Sequence, residues 1–230
     1  MNPVSLRFAL LPLLGLGIAH SSLATADDSG LYVSLLGGLN WVQAQDLRQH
    51  STDFVRMNYN QPMTSGYAAD LALGWRSPIG LRPELALAYR KNSLDHFSNR
   101  IYDGNNKAPG KGQESAGSLM ANLWYDLPMP DGFSRIKPYV GGGLGYTRLV
   151  IKDLSAAGVS FGPTHRDDVA TWQLGAGVAV RLDEHWSASV DYRYLQTRDA
   201  HFGDIDGLYP GDVSTRYNAQ SLLLGVQYGL

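Results

Sequence analysis

The sequence predicts an all-β fold: an eight-stranded antiparallel up-and-down transmembrane β-barrel. Three observations support this class. Apolar residues recur at every second position in eight segments, the period of a strand whose two faces meet different surroundings. The connections between these segments alternate between short turns and long polar stretches. One face of every segment carries no charged residue.

The first 26 residues are typical of a secretory signal peptide. Arg7 closes a short basic region, residues 8–19 form an apolar stretch, and Ala24-Thr25-Ala26 supplies a cleavage site of small residues. The apolar stretch is too short to cross a membrane as a helix. We therefore assign residues 1–26 to a signal peptide and residues 27–230 to the barrel.

The composition argues against several classes of function. The 230 residues include 19 Lys and Arg, 21 Asp and Glu, and no Cys, for a formal net charge of −2. A balance this close to neutral argues against a nucleic-acid partner. The absence of Cys removes disulfide scaffolds, thiolate metal sites and Cys nucleophiles. We expect no cofactor.

The strands are predicted in chain order, and most have about the 9 to 11 residues that a tilted strand needs to cross a bilayer. They cover residues 31–41, 66–75, 82–91, 114–125, 138–148, 169–181, 186–195 and 217–230. Strands two, four and six precede short turns, at residues 77–80, 128–132 and 183–185. The other strands precede long polar connections, which predict four surface loops near residues 42–65, 92–113, 149–168 and 196–216. In the first loop, residues 54–60 predict either a taller barrel or an extra hairpin.

In each predicted strand, alternate residues form a stripe that faces outward, and the 40 positions of this outward stripe carry no charge. This pattern supports the assignment of each segment as a membrane-spanning strand. A Lys or Arg on the lipid face at the bilayer midplane costs about 2 to 4 kcal/mol. The large aliphatic members of the stripe, in strand order, are Leu31, Val33, Leu35 and Leu39; Leu71 and Leu73; Leu85 and Leu87; Leu119 and Leu123; Val140 and Leu144; Leu174, Val178 and Val180; Val190; and Leu222, Leu224, Val226 and Leu230.

The opposite stripe is small and polar and carries charges of both signs. The interior of an eight-stranded barrel is just wide enough for side chains, so buried charges there are expected to pair. The predicted lumen ion-pair network consists of Asp70, Arg82, Glu84, Arg90, Arg181, Asp191 and Arg193. The alternative is a narrow, gated, porin-like channel for small solutes or ions.

Aromatic residues at the strand ends predict two belts at the membrane interfaces, where amphipathic rings are enriched. The predicted belts contain Trp41, Tyr67, Trp75, Tyr89, Tyr125, Tyr146, Trp172, Trp186, Tyr192 and Tyr228. Trp75, Tyr125, Trp186 and Tyr228 fall at the inner rim and the others at the outer rim.

Over residues 27–230 the chain resembles the small eight-stranded outer-membrane β-barrels of the OmpA transmembrane-domain, Opa and surface-antigen type. The resemblance rests on Gly30-Leu31-Tyr32-Val33, residues 81–85, residues 136–146, Gln173-Leu174-Gly175-Ala176-Gly177 and Asp191-Tyr192-Arg193-Tyr194. It implies an integral, monomeric, non-enzymatic protein of the outer membrane of a Gram-negative bacterium, with a structural, adhesion or surface-antigen role. The implied partners are outer-membrane lipid and lipopolysaccharide, the barrel-insertion machinery, and a host or surface ligand at the loops.

The last residues resemble the insertion signal of this family, in which alternating apolar residues end in an aromatic one. The predicted signal is Leu222, Leu224, Val226, Tyr228 and Leu230. The family usually ends in Phe, whereas this chain ends in Leu.

One alternative from another class is a lipid A acyl-ester hydrolase. His96-Phe97-Ser98-Asn99 resembles the motif of outer-membrane lipid A deacylases, and in an extended segment His96 and Ser98 share one face. The motif lies mid-chain in a predicted outer loop, and no acid follows at that family's spacing, so we expect no enzyme.

No metal site is predicted either. Asp204, Asp206 and Asp212 do not match the spacing of an EF-hand loop. The loop histidines are spread over separate loops, at His50, His165 and His201.

Overall fold

The protein is described here by a computed structural model. It describes residues 29–43, 46–50, 58–60, 64–99, 106–130, 135–156, 159–160, 164–201 and 212–230. The predicted signal peptide lies outside these residues. Among the residues described, no helix is long and apolar enough to cross a membrane.

Eleven strands form one antiparallel sheet in the described part of the chain. They are β1 Gly30–Val42, β2 Asp46–His50, β3 Asn58–Asn60, β4 Thr64–Arg76, β5 Leu81–Asn99, β6 Asn106–Asp126, β7 Ile136–Ala156, β8 Val159–Ser160, β9 His165–Arg181, β10 Trp186–His201 and β11 Asp212–Gly229. Eight long strands pair in the order β1, β4, β5, β6, β7, β9, β10, β11, and β11 pairs with β1 to close the barrel. The predicted eight-stranded up-and-down barrel is confirmed.

Side chains alternate between the two faces of the wall as the sequence predicts. Leu35, Leu87 and Leu224 point outward and are 56%, 59% and 67% exposed. Asn40 and Asp70 point inward and are 0% and 2% exposed. Because the side-chain period of a strand is two, a slip of one residue would exchange these faces, so the pattern specifies the register of each strand.

The long strands extend beyond the apolar band, which corrects three of the predicted loops. In the predicted loop 196–216, residues 196–201 belong to β10 and residues 212–216 belong to β11. Most of residues 92–113 and 149–156 belongs to β5, β6 and β7, and β5 pairs with β6 as far as Asn99 opposite Asn106. Outside the membrane the outer face of the wall meets water instead of lipid, so the apolar outward stripe ends although backbone pairing continues. Register shifts between Leu94 and His96, and between Lys111 and Gln113, interrupt these extensions.

The first connection contains a hairpin, as one of the two alternatives predicts. β2 and β3 pair with Asp46 opposite Asn60, and they join β11 to β5 at the outer end of the barrel. Residues 54–57, where the predicted segment begins, lie outside the described residues.

The opposite end of the barrel carries tight turns. Gly80 adopts a φ of 82°, a conformation that favours glycine, and its N–H donates to the Ser77 carbonyl over 3.1 Å. In the turn between β9 and β10, the Asp183 carboxylate accepts hydrogen bonds from the backbone N–H groups of Trp186 at 2.7 Å and His185 at 2.9 Å.

Acid is expected to weaken the Asp183 turn. The hydrogen bonds from Trp186 and His185 lower the pKa of the Asp183 carboxyl. Its contribution to stability is therefore present above the unfolded pKa of about 3.9 and is lost as the pH falls through the lower folded pKa. An NMR titration of the side-chain carboxyl carbon measures this pKa, and a midpoint at or above the unfolded value contradicts the expectation.

Some inward glycines leave room for large aromatic rings. A Cβ added to Gly177 would lie 2.6 Å from both Cζ and the hydroxyl oxygen of Tyr139, a ring that is 3% exposed. Glycine is therefore required here by close packing against the ring.

We expect Gly177→Ala to lower the free energy of unfolding by about 1 to 3 kcal/mol, through overpacking. In a Tyr139→Ala background the same change should cost much less, because the clashing ring is gone. Urea unfolding in lipid vesicles measures both values. Gly117→Ala is the matched control, since a Cβ there meets nothing within 4 Å; an equal loss at the two glycines would contradict the packing explanation.

Candidate functional site

The centre of the barrel holds a buried ionic cluster, which we call the central cluster: Asp70, Arg90, Asp191 and Arg193. The Arg193 guanidinium donates to Asp70 over 3.0 Å and to Asp191 over 3.2 Å. Arg90 Nη2 lies 3.8 Å from Asp70 Oδ2. All four residues are at most 3% exposed, and the pair of Arg193 with Asp70 links β10 to β4 across three strand interfaces.

A second ionic group lies nearer the short turns. Arg82 Nε is 2.9 Å and Arg76 Nε is 3.3 Å from Asp126, and the Arg82 guanidinium carbon lies 4.4 Å from the centroid of the Tyr139 ring. Arg76 and Asp126 are absent from the predicted network. Both occupy inward positions at the ends of their strands, so extending the inward stripe by one position identifies Asp126.

Glu84 connects these two groups through neutral donors. Its carboxylate accepts hydrogen bonds from the Tyr32 hydroxyl at 3.0 Å, the Asn122 amide at 3.1 Å and the Trp124 indole N–H at 3.2 Å. The Gln173 amide in turn donates to Asn122 over 2.6 Å. A carboxylate with three hydrogen-bond donors is stabilised in a buried place.

Above the central cluster, uncharged polar side chains cross the interior. The Asn40 amide donates to Asn92 over 2.7 Å and to the Tyr217 hydroxyl over 3.3 Å, while the Ser221 hydroxyl donates to Asn40 over 2.7 Å. These bonds join β1, β5 and β11.

The outer end of the interior is closed by buried apolar side chains, which we call the apolar layer. Its members are Val42, Ala116, Leu149, Val169, Leu195, Ala200, Tyr217 and Ala219. They come from six strands, β1, β6, β7, β9, β10 and β11, and none is more than 6% exposed. This layer corrects the expectation of a small and polar interior. Leu149 and Leu195 continue the inward stripe at or just beyond the predicted strand ends, and this is the signal that reveals the layer.

The structure brings four of the seven predicted network residues together in the central cluster. Arg82 and Glu84 lie below it with the partners given above. Arg181 lies apart from these groups, at the end of the barrel that carries the short turns, where it lines a cavity of about 210 Å³ together with Arg76 and Asp183.

The predicted belt residues lie on the outer face of the wall. Tyr67, Tyr89 and Tyr146 are exposed at the outer side, and Tyr67 and Tyr89 have ring centroids 6.3 Å apart. At the other rim, Trp186 packs against Tyr228 with ring centroids 4.9 Å apart. The predicted insertion-signal residues Leu222, Leu224, Val226, Tyr228 and Leu230 are all exposed at outward positions of or just after β11.

The structure moves the four-residue motif of the hydrolase alternative from a loop into a strand. His96 and Ser98 belong to β5 and lie opposite Pro109 and Lys107 of β6. Their side chains lie outside the described part of the structure. Within that part, no group of three or more His, Asp or Glu side chains is placed to hold a metal ion.

A closed antiparallel barrel with an apolar exterior and a polar, ion-paired interior defines a transmembrane β-barrel protein. The chain belongs to the outer membrane protein beta-barrel domain family, whose model matches residues 8–229. The protein is therefore an integral protein of the bacterial outer membrane. The resemblance and the location predicted from the sequence are both confirmed.

Solved structures that match this chain share little sequence with it. OprG from Pseudomonas aeruginosa is 14% identical, with 90% of this chain and 100% of that chain covered and a TM-score of 0.56. The neisserial surface protein A is 17% identical, with coverages of 88% and 98% and a TM-score of 0.49. The outer membrane protease OmpT from Escherichia coli is 10% identical, with coverages of 91% and 99% and a TM-score of 0.48. A comparison with curated proteins gives no match.

Proposed function

We propose that this protein is a non-conducting, non-enzymatic outer-membrane scaffold that presents its outer end as a binding surface, in a structural, adhesion or surface-antigen role. The observation that carries this proposal is the filled interior. The apolar layer closes the outer end of the barrel, and the central cluster crosses its middle.

Each of these levels opposes the passage of ions. An apolar constriction excludes hydrated ions because they cannot shed their water there without compensation. The central cluster occupies the axis with oppositely charged groups that bind each other, so displacing them would leave buried charges unpaired. Leu149 and Arg90 are both 0% exposed, which supports a barrel without a continuous path.

The outer end is built for presentation. Strands β5, β6 and β7 have 19, 21 and 21 residues, about twice the length that crosses the bilayer. Their extensions continue the rigid wall into the medium, and rigid scaffolds commonly carry binding surfaces on such projections. The partner we propose for this surface is a host or surface ligand.

A trimmed variant tests the binding role. Replacing residues 95–111 by Asn-Gly leaves Leu94 and Gly112, which are paired, joined by a two-residue hairpin turn. A non-adherent Gram-negative host that expresses the protein should adhere to epithelial cells or immobilised extracellular matrix, and the trimmed variant should lose most of that adhesion.

The control for trimming is a substitution on the other side of the membrane, with residues 131–134 replaced by Gly and Ser. It should adhere like the unchanged protein. Both variants should still show heat-modifiable gel migration, which reports a folded barrel. Equal adhesion by the trimmed and unchanged proteins, or no adhesion by either, would contradict the proposed role.

A narrow channel is the second candidate, favoured by the buried guanidinium groups. Apart from the ion pairs of Arg82 with Asp126 and of Arg90 with Asp70, the side-chain nitrogens of Arg82 and Arg90 have no hydrogen-bond partner among the described residues. Buried polar groups of this kind are commonly satisfied by water, so a hydrated interior is compatible with the fold. Planar-bilayer recordings separate the candidates: we expect no single-channel steps, and steps that change in Arg193→Ala would establish the channel instead.

A further inference from the structure

The outer face of the wall carries an open groove of about 820 Å³ that extends from β1 across β4 to β7 and reaches β9, and we call it the outer groove. Leu71, Leu87 and Leu119 line it, with Tyr89 and Tyr146 of the outer aromatic belt. Gly117 pairs with Tyr89 on one side and with Arg148 on the other, and Tyr146 pairs with Leu119, the next outward position of β6. A Cβ at Gly117 would meet nothing within 4 Å. The groove is therefore an apolar depression where the wall meets lipid.

The upper end of the outer groove is charged. Arg148 and Asp168 line it and form an ion pair with nitrogen–oxygen distances of 2.7 and 2.8 Å, and both side chains are more than half exposed. Three more outward-facing positions on the same face carry Lys91, Lys152 and Arg166. Val150 pairs with Arg166 and is two residues from both Arg148 and Lys152, so these cations are close neighbours on the wall.

The charge on this rim is strongly one-sided. Four of its described side chains are basic and one, Asp168, is acidic. The opposite part of the outer wall lacks this excess: the outward charges of β10 and β11 there are Arg198, Asp199 and Arg216, and Arg216 binds Asp199 over 2.9 Å. The excess of positive charge is thus localised above the outer groove.

We propose that the outer groove and its basic rim bind one phosphorylated glycolipid of the outer leaflet, of the lipid A class. The rim lies just beyond Tyr89 and Tyr146, at the level of the lipid headgroups, where its cations would meet phosphates. An acyl chain beneath the phosphates would fill the depression over Gly117. This combination of an apolar groove and a cationic upper end matches an anionic headgroup attached to hydrocarbon chains.

A phosphorylated lipid fits the site better than a zwitterionic one. Arginine forms charge-assisted hydrogen bonds with phosphate, and Arg148 lies where Asp168 fixes its orientation. A zwitterionic headgroup would bring a cation into the same basic surface. The proposal is independent of the scaffold or channel role of the barrel, because it concerns only the lipid-facing surface.

The test uses the full chain in detergent micelles, with bis-phosphorylated lipid A as the probe and native mass spectrometry as the readout. The unchanged protein should retain one lipid A molecule and bind phosphatidylcholine or dephosphorylated lipid A about tenfold more weakly. Arg148→Gln with Arg166→Gln should weaken lipid A retention by about tenfold or more. Gly117→Leu should weaken it too, because the side chain fills the groove.

Matched controls lie elsewhere on the same wall. Arg198→Gln with Arg216→Gln removes the same charge from β10 and β11, and Ala176→Leu adds an apolar side chain of the same final size to the lipid face of β9. Both should retain lipid A like the unchanged protein. Equal losses in the rim variant and its control would reduce the effect to net charge and overturn the proposal. Unchanged retention in the rim and groove variants would overturn it as well.

Discussion

Asp70→Asn is expected to lower the free energy of unfolding by about 3 to 5 kcal/mol, the usual cost of removing one partner from a buried ion pair. Asp70 is 2% exposed, accepts a hydrogen bond from Arg193 over 3.0 Å, and lies 3.8 Å from Arg90. Asparagine keeps the shape of the side chain but removes its charge. Two buried guanidinium groups would then share Asp191 as the remaining acid of the central cluster.

Urea unfolding of the barrel in lipid vesicles, followed by tryptophan fluorescence, measures this loss. Arg148→Gln is the matched control, since it breaks an ion pair that is more than half exposed and should cost far less than Asp70→Asn. Adding Arg90→Met to Asp70→Asn should recover part of the stability by removing the cation that faces the lost carboxylate. A loss for Asp70→Asn no larger than that of the control would show that the cluster is not a stabilising element.

The sidedness of the barrel is predictable from the sequence because two solvents sort the side chains. Leu35 must face lipid and Asn40 must not, and a strand has a period of two, so a few such residues specify the orientation of the whole segment. The same reasoning identifies Asp70, Asp191 and Arg193 as inward charges, and the structure places them within one cluster.

The partners within the interior are less predictable, because they depend on which strands face each other across the axis. Arg82 binds Asp126, which lies one residue beyond the predicted strand, whereas Glu84 is held by neutral donors. The length of the strands beyond the bilayer is also not predictable from the hydrophobic pattern. Outside the bilayer, the outward positions of β7 change from Tyr146 to Arg148 and Lys152, so the strand continues while its hydrophobic pattern ends.

The apolar layer is the clearest example of information that the pattern of one strand does not carry. Leu149 taken by itself resembles the first residue of a loop. In the closed barrel it meets Val169 of the neighbouring strand and Leu195 of β10, and the three are buried together. The set of side chains that meet at one level of the interior therefore depends on the relative register of all eight strands. The sequence of each strand alone does not specify this register.

The second large effect is expected at Trp124, whose replacement by alanine should cost about 3 to 5 kcal/mol. The side chain is 1% exposed. Its indole N–H donates to Glu84 over 3.2 Å, its ring meets the edge of Tyr139 with centroids 5.9 Å apart, and the Arg193 guanidinium carbon lies 5.0 Å from its centroid. Alanine would leave a large cavity between the central cluster and the second ionic group, which consists of Arg76, Arg82 and Asp126.

A graded series separates packing from hydrogen bonding at this position. Trp124→Phe keeps most of the ring and loses the N–H donor, and because Glu84 retains its bonds from Tyr32 and Asn122, the cost should be about 1 kcal/mol. Because both variants remove one tryptophan, gel mobility after urea treatment is the better measure of the folded fraction. Equal losses for alanine and phenylalanine would show that the hydrogen bond, and not the filled cross-section, makes Trp124 important for stability.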